Sequence, residues 1–439
     1  MTERAAFPSS PFIQRSDARR DVDVVVIGAG AAGIGAAREA LARGASVRVL
    51  EARGRLGGRA FTDQCGGVPF DAGAAYVHYA DRNPWVGLAA ELGIALEPHR
   101  GWGRGVPFRG GVRLPEQDRQ ERMRASERFW QLLYGTSEGR DLSLADLVRG
   151  EADTVGEAAR RYGEQAIGED PERIGVADLR QLWEGPDKTV PGGYGALVAA
   201  AGAGLPITLN AAVRRVDWGS HGVVVEGPAG SIRAGAAIIT APLGVLASGS
   251  IRFDPPLPPA TAGAIGALRM GALTKVVLAF DGERFGWPSP SDLYPLGTGF
   301  NLEFWPFNRD IVIATIGGTQ ARDLVRLGEE SAAAALLDVV ADIVGSEARR
   351  HVTAGRLADW VSDPCSRGAY SYAPPGAAGA RAMLAEPIGG RLFFAGEATS
   401  GGADTVGGAM TVGGALIAGQ IAAQQACARL RVGEQASSV

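Results

Sequence analysis

At 439 residues, with 46% hydrophobic and 21% charged side chains, the chain is too long for one ordinary core and predicts two intertwined domains. Its formal net charge of −4 gives no electrostatic case for nucleic acid, and no run of about 18 apolar residues escapes charges or glycine breaks, so no membrane span is expected. Cys65, Cys365 and Cys427 lack metal-type or redox-type spacing and His78, His99, His221 and His351 are scattered, so we expect no metal and a reducing, cytoplasmic setting.

Residues 1–20 read as a mobile tail, and the apolar run after Arg19-Arg20 reads as a domain strand and not as an export signal. Val22 to Ile27 has the β-branched character of a buried parallel strand, and Ala31 to Arg43 has the alanine and leucine content of a helix packed on it. Between them stand Gly28, Gly30 and Gly33: one for the tight turn, one for close approach of a pyrophosphate, one for helix against sheet. Gly44 ends the helix, Ser46 to Leu50 is the next strand, and Glu51 at its carboxyl end is placed to accept both ribose hydroxyls. An NADP site would favour arginine there. Arg53, Arg55 and Arg59, set among Gly54, Gly57 and Gly58, then bring three guanidiniums toward the phosphate end.

Further on, Asp118 to Tyr134 and Ser143 to Tyr162 read as polar helices of a cap-like region, and Val190-Pro-Gly-Gly-Tyr194-Gly leads into a helix over 196–203. Residues 207–239 return to short strands (213–218, 223–226, 231–233), and Ala236 to Thr240 is an almost wholly apolar strand. Beyond the proline-rich linker at 253–259 comes a strand over 272–280. Its period-two alternation puts Lys275 on one face with Leu273, Val277 and Ala279, company an ammonium avoids. Taken by itself, this lysine reads as an edge-strand gatekeeper. Aromatic residues cluster from Arg284 to Gly318, and Ser331 to Val344 reads as an amphipathic helix. Trp360 and Tyr370 flank a second polar and aromatic stretch, for which core packing is the plain alternative. Finally Arg391-Leu-Phe-Phe-Ala-Gly396-Glu397 ends a strand with a carboxylate and feeds a helix beginning near Val406, whose N-terminus is a second anion-facing helix end. Two such ends on one chain point to a long dinucleotide, FAD.

On Glu51-Ala-Arg53, Gly57-Gly58-Arg59, Phe70-Asp71-Ala-Gly73-Ala74 and the returning strands, the chain resembles the flavin-containing amine oxidase family over about residues 22–428. The resemblance implies an α/β fold: a Rossmann-like FAD-binding domain, a parallel sheet with a β-meander (21–85, 205–257 and 390–439), interleaved with an α+β substrate-binding domain (86–204 and 258–389). It implies backbone at Ala74 under the flavin ring, backbone at Val213 reaching the adenine, and Glu397, with Thr405 and Val406, near the flavin. It makes Lys275 the lysine that reaches the reactive ring nitrogen through a water, Tyr370 the aromatic facing the flavin, and Trp360 the tryptophan packed by the lysine.

Two departures narrow the branch. Monoamine oxidases link flavin to a cysteine just before their first cage tyrosine. Ala369 stands there, so the FAD is expected to be non-covalent, with Cys365 pointing elsewhere. Their second cage tyrosine aligns with Thr405, which looks like polyamine oxidases and the lysine-specific histone demethylases. Those demethylases carry a reader domain and a coiled-coil insertion for which 439 residues leave no room. The implied activity is oxidation of an amine C–N bond, of a polyamine or secondary amine by preference, with O2 reduced to hydrogen peroxide. A monoamine or L-amino acid oxidase of the same fold, and a non-oxidase flavoprotein, are the alternatives. Glu184 and Asp187 are candidates to meet a distal ammonium.

Overall fold

A computed structural model describes residues 20–103, 105–135, 141–219, 222–399 and 408–437, except the side chains of 432–437. The strand Val22–Ile27 pairs in parallel with Val47–Leu50 on one side and with the far half of the ten-residue strand Gly230–Ile239 on the other. Ile207–Thr208 extends one edge, and Leu392–Phe394 adds beside Ala237 to Ile239. The near half of Gly230–Ile239 turns into an antiparallel meander with Val223–Gly227 and Arg215–Asp217, and Arg252–Asp254 completes the eight strands. Strand segments expected separately at 231–233 and 236–240 are thus one continuous strand, its first half pairing antiparallel with Val223–Gly227 and its second parallel with Val22–Ile27 in the same sheet.

The helix Ala31–Ala42 packs on this sheet together with Val412–Ser437. Small residues let the two helices touch: a Cβ on Gly419 would stand 2.0 Å from the Ala32 carbonyl oxygen. That second helix runs from Val412, capped by Thr411 Oγ1 accepting from Gly414 N at 3.0 Å. Residues 400–407, with Thr405 and Val406, lie outside the described residues.

A second, seven-stranded sheet runs Val352–Ala358, Leu273–Phe280, Ile311–Gly317, Asn301–Phe304, Ser291–Pro295, Val106–Arg109, Val112–Arg113. Its strand Leu273–Phe280 is paired on both sides, so Lys275 is not an edge gatekeeper. Alternation sorts the strand: Val276, Leu278 and Phe280 pack with Leu336 and Val340 of the helix Glu329–Val344. Val277 and Ala279 face the other way, onto Phe70, Ala72 and Trp360. Most of the 284–318 aromatics, Phe304 and Trp305 among them, belong to the helix-side core. The helices Glu116–Gly135 and Asp153–Tyr162, with a π-helical turn Gly163–Ile167, form a third body around Phe129 and Leu133. Among the described residues no helix is long and apolar enough to cross a membrane, and no cluster of His, Cys, Asp and Glu has metal-binding form.

Candidate active site

One cavity of about 1940 Å³ joins the two sheets, lined at one end by Gly28, Gly30, Glu51 and Val213 and further in by Ala74, Lys275, Trp360 and Tyr370. At the first end the three glycines have different reasons. Gly28 sits at φ +108°, and a Cβ on Gly33 would lie 1.8 Å from the Gly28 carbonyl oxygen. A Cβ on Gly30 would meet nothing nearer than 3.8 Å. The protein therefore leaves room at Gly30 that its own packing does not need. Gly30 is also the N-cap of Ala31–Ala42, with no side-chain cap and no acid in the first turn, and that helix end faces the cavity. Glu51 is buried and holds the turn, accepting from Ala29 N at 2.7 Å and Arg53 N at 2.8 Å, with lone pairs left over.

The guanidiniums expected at the phosphates each have protein partners on one nitrogen, and Arg53 and Arg59 line the cavity. Arg53 pairs with Asp363 and bonds Ser366 Oγ at 3.2 Å. Arg55 donates to the Leu56 and Gly58 carbonyls and lies 3.8 Å from the centre of the Phe61 ring. Burial, then Arg53 beside it, draws its pKa down to about 10. Arg59 donates to the Ala369 carbonyl at 2.9 Å and to Glu397 at 2.8 Å.

Deeper in, three consecutive carbonyls of the Asp71–Gly73 turn are read by two side chains. Lys275 Nζ donates to Asp71 O at 2.6 Å and Gly73 O at 2.8 Å, and Trp360 Nε1 donates to Ala72 O at 3.0 Å. Gly73 must be glycine, since a Cβ there would stand 1.8 Å from Arg59 O. The Asp71 carboxylate is turned away to bind Thr62 Oγ1 and the backbone N–H groups of Tyr194 and Gly195, which explains the Pro-Gly-Gly-Tyr-Gly stretch. Burial pulls the Lys275 pKa below its ordinary value, and the Asp71 and Glu303 charges oppose that pull. As an ammonium Lys275 keeps one N–H beyond the two carbonyl bonds.

The half-buried Tyr370 donates its hydroxyl to Ala166 O of the π-helical turn at 2.9 Å, and burial raises its pKa. Glu397, expected to accept from ribityl hydroxyls, is engaged by Arg59 and by Ser371, whose Oγ donates to Oε2 at 2.6 Å. Burial works against its ionisation, but Arg59 and Arg381 hold its pKa below the usual value.

The family model for flavin containing amine oxidoreductases matches residues 31–174 and 174–427. The chain belongs to that family. It is 30% identical to lysine-specific histone demethylase 1 homolog 2 of Oryza sativa subsp. japonica over 90% of this chain and 56% of that protein. It is 29% identical to polyamine oxidase 4 of the same plant, over 89% of this chain and 86% of that protein. The chain thus spans about half the length of the demethylase relatives it matches. In fold it is similar to putrescine oxidase bound to putrescine (TM-score 0.77, 22% identity, 92% of this chain and 98% of that one). It is also similar to cyclohexylamine oxidase from Brevibacterium oxydans (TM-score 0.76, 24% identity, 94% and 100%).

For a flavin-containing amine oxidoreductase the group to hold is FAD, and the room at Gly30, the uncapped helix end and the spare lone pairs of Glu51 fit it. Cys365, expected to point elsewhere although it stands where an aromatic over the flavin is common in the resembled branch, lines the cavity. Two further features escaped the sequence. Asp187 is already taken by Trp102 Nε1 at 2.6 Å, His78 Nδ1 at 3.1 Å and Tyr79 N, while the exposed Glu184 hydrogen-bonds Tyr134. The half-buried Glu303 lies across the strand pair from Asp292, and desolvation, then that neighbouring carboxylate, raises its pKa to about 7. Alternation along Asn301–Phe304 marked Glu303 as facing away from the helix-side core, but only the register places it opposite another acid.

Proposed function

We propose that this family member is an FAD-dependent amine oxidase that converts CH–NH of a bound amine to C=N, the two protons and two electrons released going to O2 as hydrogen peroxide. Polyamines and other secondary amines within a longer chain are its preferred substrates. The observation that carries the reading is the single cavity joining the Gly28 to Glu51 end to Lys275, Trp360 and Tyr370. Residues 21–85, 205–257 and 390–439 serve the cofactor in this reading, and 86–204 and 258–389 the substrate.

FAD, when bound, supplies the two-electron oxidation of the amine and the reduction of O2. Glu51 would hold the ribose, and the Ala31–Ala42 helix end a phosphate. Tyr370 and Trp360 wall a slot that orients the C–N bond and keeps water out. The reacting amine is neutral, because an ammonium has no lone pair to form the C=N bond. Lys275, whose ammonium is weakened by burial, uses its remaining N–H to hold or relay a proton beside the Asp71–Gly73 turn. Ala369 in place of a cysteine supports non-covalent FAD, and the demethylase and polyamine oxidase relatives support the branch.

Anaerobic mixing of the yellow protein with a panel of amines, followed by air, tests this. Spermidine, spermine or their acetylated forms should bleach the flavin, and air should restore it with one hydrogen peroxide per amine. No bleaching by any amine would remove the oxidase reading, and an aromatic monoamine ranked tenfold above every polyamine would remove only the substrate class. Acid precipitation should leave the flavin in the supernatant; a yellow pellet would implicate Cys365.

A further inference from the structure

Tyr370 owes its place to its neighbour. Ser371 is wholly buried, and each of its polar groups is held by a charged side chain. Its N–H donates to Glu397 at 3.2 Å, and its Oγ donates to Glu397 Oε2 at 2.6 Å and accepts from Arg381 Nη1 at 2.6 Å. Its carbonyl accepts from Arg381 Nη2 at 3.2 Å. Arg381 in turn forks onto Asp178, with Nε to Oδ1 at 2.9 Å and Nη2 to Oδ2 at 3.0 Å, both side chains at most 3% exposed. On the other side, Arg59 bonds Glu397 and the Ala369 carbonyl, and Gly271 N bonds the Tyr370 carbonyl. Two cations and two carboxylates from four distant segments, the short helix Val176–Leu179, the turn at Arg59, the helix Ala380–Ala385 and the turn at Glu397, thus converge on the backbone of residues 369–371.

Stability is a weak reason for such an arrangement. Replacing a buried ion pair by apolar groups of like volume is often neutral or stabilising, while a fork of charge-assisted bonds fixes geometry that apolar contacts do not. We propose that the buried Asp178 and Arg381 pair are positioning residues that act through Ser371 to set Tyr370 in the amine slot. The functional half of this rests on Tyr370 being the slot wall of an amine oxidase; the structural half does not.

The test is the apolar replacement Asp178→Leu with Arg381→Met, in the FAD-loaded enzyme. It should fold with wild-type flavin content and a Tm lowered only by the Ser371 carbonyl left without its Arg381 partner, yet lose about tenfold or more in kcat, since small misplacements of an orienting group are costly. Against a Tyr370→Leu background the same pair of changes should cost less than twofold, because the two act on one element. Independently of any turnover, amide hydrogen exchange in residues 366–373 should accelerate about tenfold or more in the replacement, which tests the clamp even if no amine is oxidised. Arg381→Lys, which keeps the charge and loses the fork, should fall between the two. Unchanged kcat and exchange, or equal losses with and without the Tyr370 ring, would overturn the proposal. Failure of both variants to fold with FAD would overturn it too, by making the pair a folding element.

Discussion

At the glycine end of the cavity, Ala29 and Glu51 find each other across 22 residues, whereas Lys275, Trp360 and Tyr370 bind carbonyls 202 to 288 residues away. The first end consists of one strand, one turn, one helix and the next strand, and what it offers a ligand is backbone left unfilled. The second is assembled by docking one sheet on the other. Lys275, Trp360 and Tyr370 already have protein partners there, so these three offer a ligand shape, ring faces and the spare N–H of Lys275. At the first end an atom added at Gly33 has nowhere to go and one added at Gly30 takes ligand space, while the second end is sensitive to lost donors.

The largest effect expected is at Gly33. A side chain there collides with the Gly28 carbonyl and forces helix and turn apart, so Gly33→Val should purify as apoprotein, with FAD affinity down by a hundredfold or more on the order of a lost close approach. Wild-type flavin absorbance per protein in that variant would erase the distinction between the two ends. Glu51→Ala comes next. It removes the ribose acceptor and the hold on Ala29 N, and charge-assisted bonds of this kind are worth roughly 1.5–3 kcal/mol each, so the FAD dissociation constant, read by flavin fluorescence titration, should rise at least about tenfold.

Lys275→Met should keep FAD but slow flavin reduction, reoxidation or both by at least about tenfold. It also strands the Asp71 and Gly73 carbonyls, at about 1–3 kcal/mol for each buried acceptor left unmet, so Tm should fall as well. A lowered Tm with unchanged rates in stopped flow would make the lysine a purely structural strut.

The smallest effect is pH-dependent. Glu303 has its pKa raised from 4.5 unfolded to about 7 folded, so the folded state binds the extra proton between those values. Its favourable contribution is complete below pH 4.5 and is lost as pH rises through 7. Glu303→Gln should therefore match wild type in Tm near pH 5 and exceed it by about 2 °C or more near pH 8.5. A variant advantage that is flat with pH would show that Glu303 ionises normally.

Local pattern carried the dinucleotide end because its physics is largely local: β-branched strand, a glycine at 33 forced by the Gly28 carbonyl five residues back, and an acid at the next strand's end. Alternation along Leu273–Phe280 likewise put Lys275 with Val277 and Ala279, and that grouping follows from strand geometry whatever the partner strands are. The gatekeeper reading failed for a different reason. Whether a strand has neighbours on both sides is decided by Ile311–Gly317 and Val352–Ala358, which nothing within the strand itself encodes.

By itself, then, the sequence determined the glycine turn, the FAD-type signature, the order of helices and strands and the face on which Lys275 lies, since each depends on contacts within one or two elements. Only the tertiary structure decided that Lys275 and Trp360 share one turn, that Arg53 and Arg59 pair with Asp363 and Glu397, and that Asp178 meets Arg381 behind Tyr370. A buried charge takes whichever opposite charge the packed chain brings within hydrogen-bonding distance. That pairing belongs to the assembled core, and no spacing along the chain announces it.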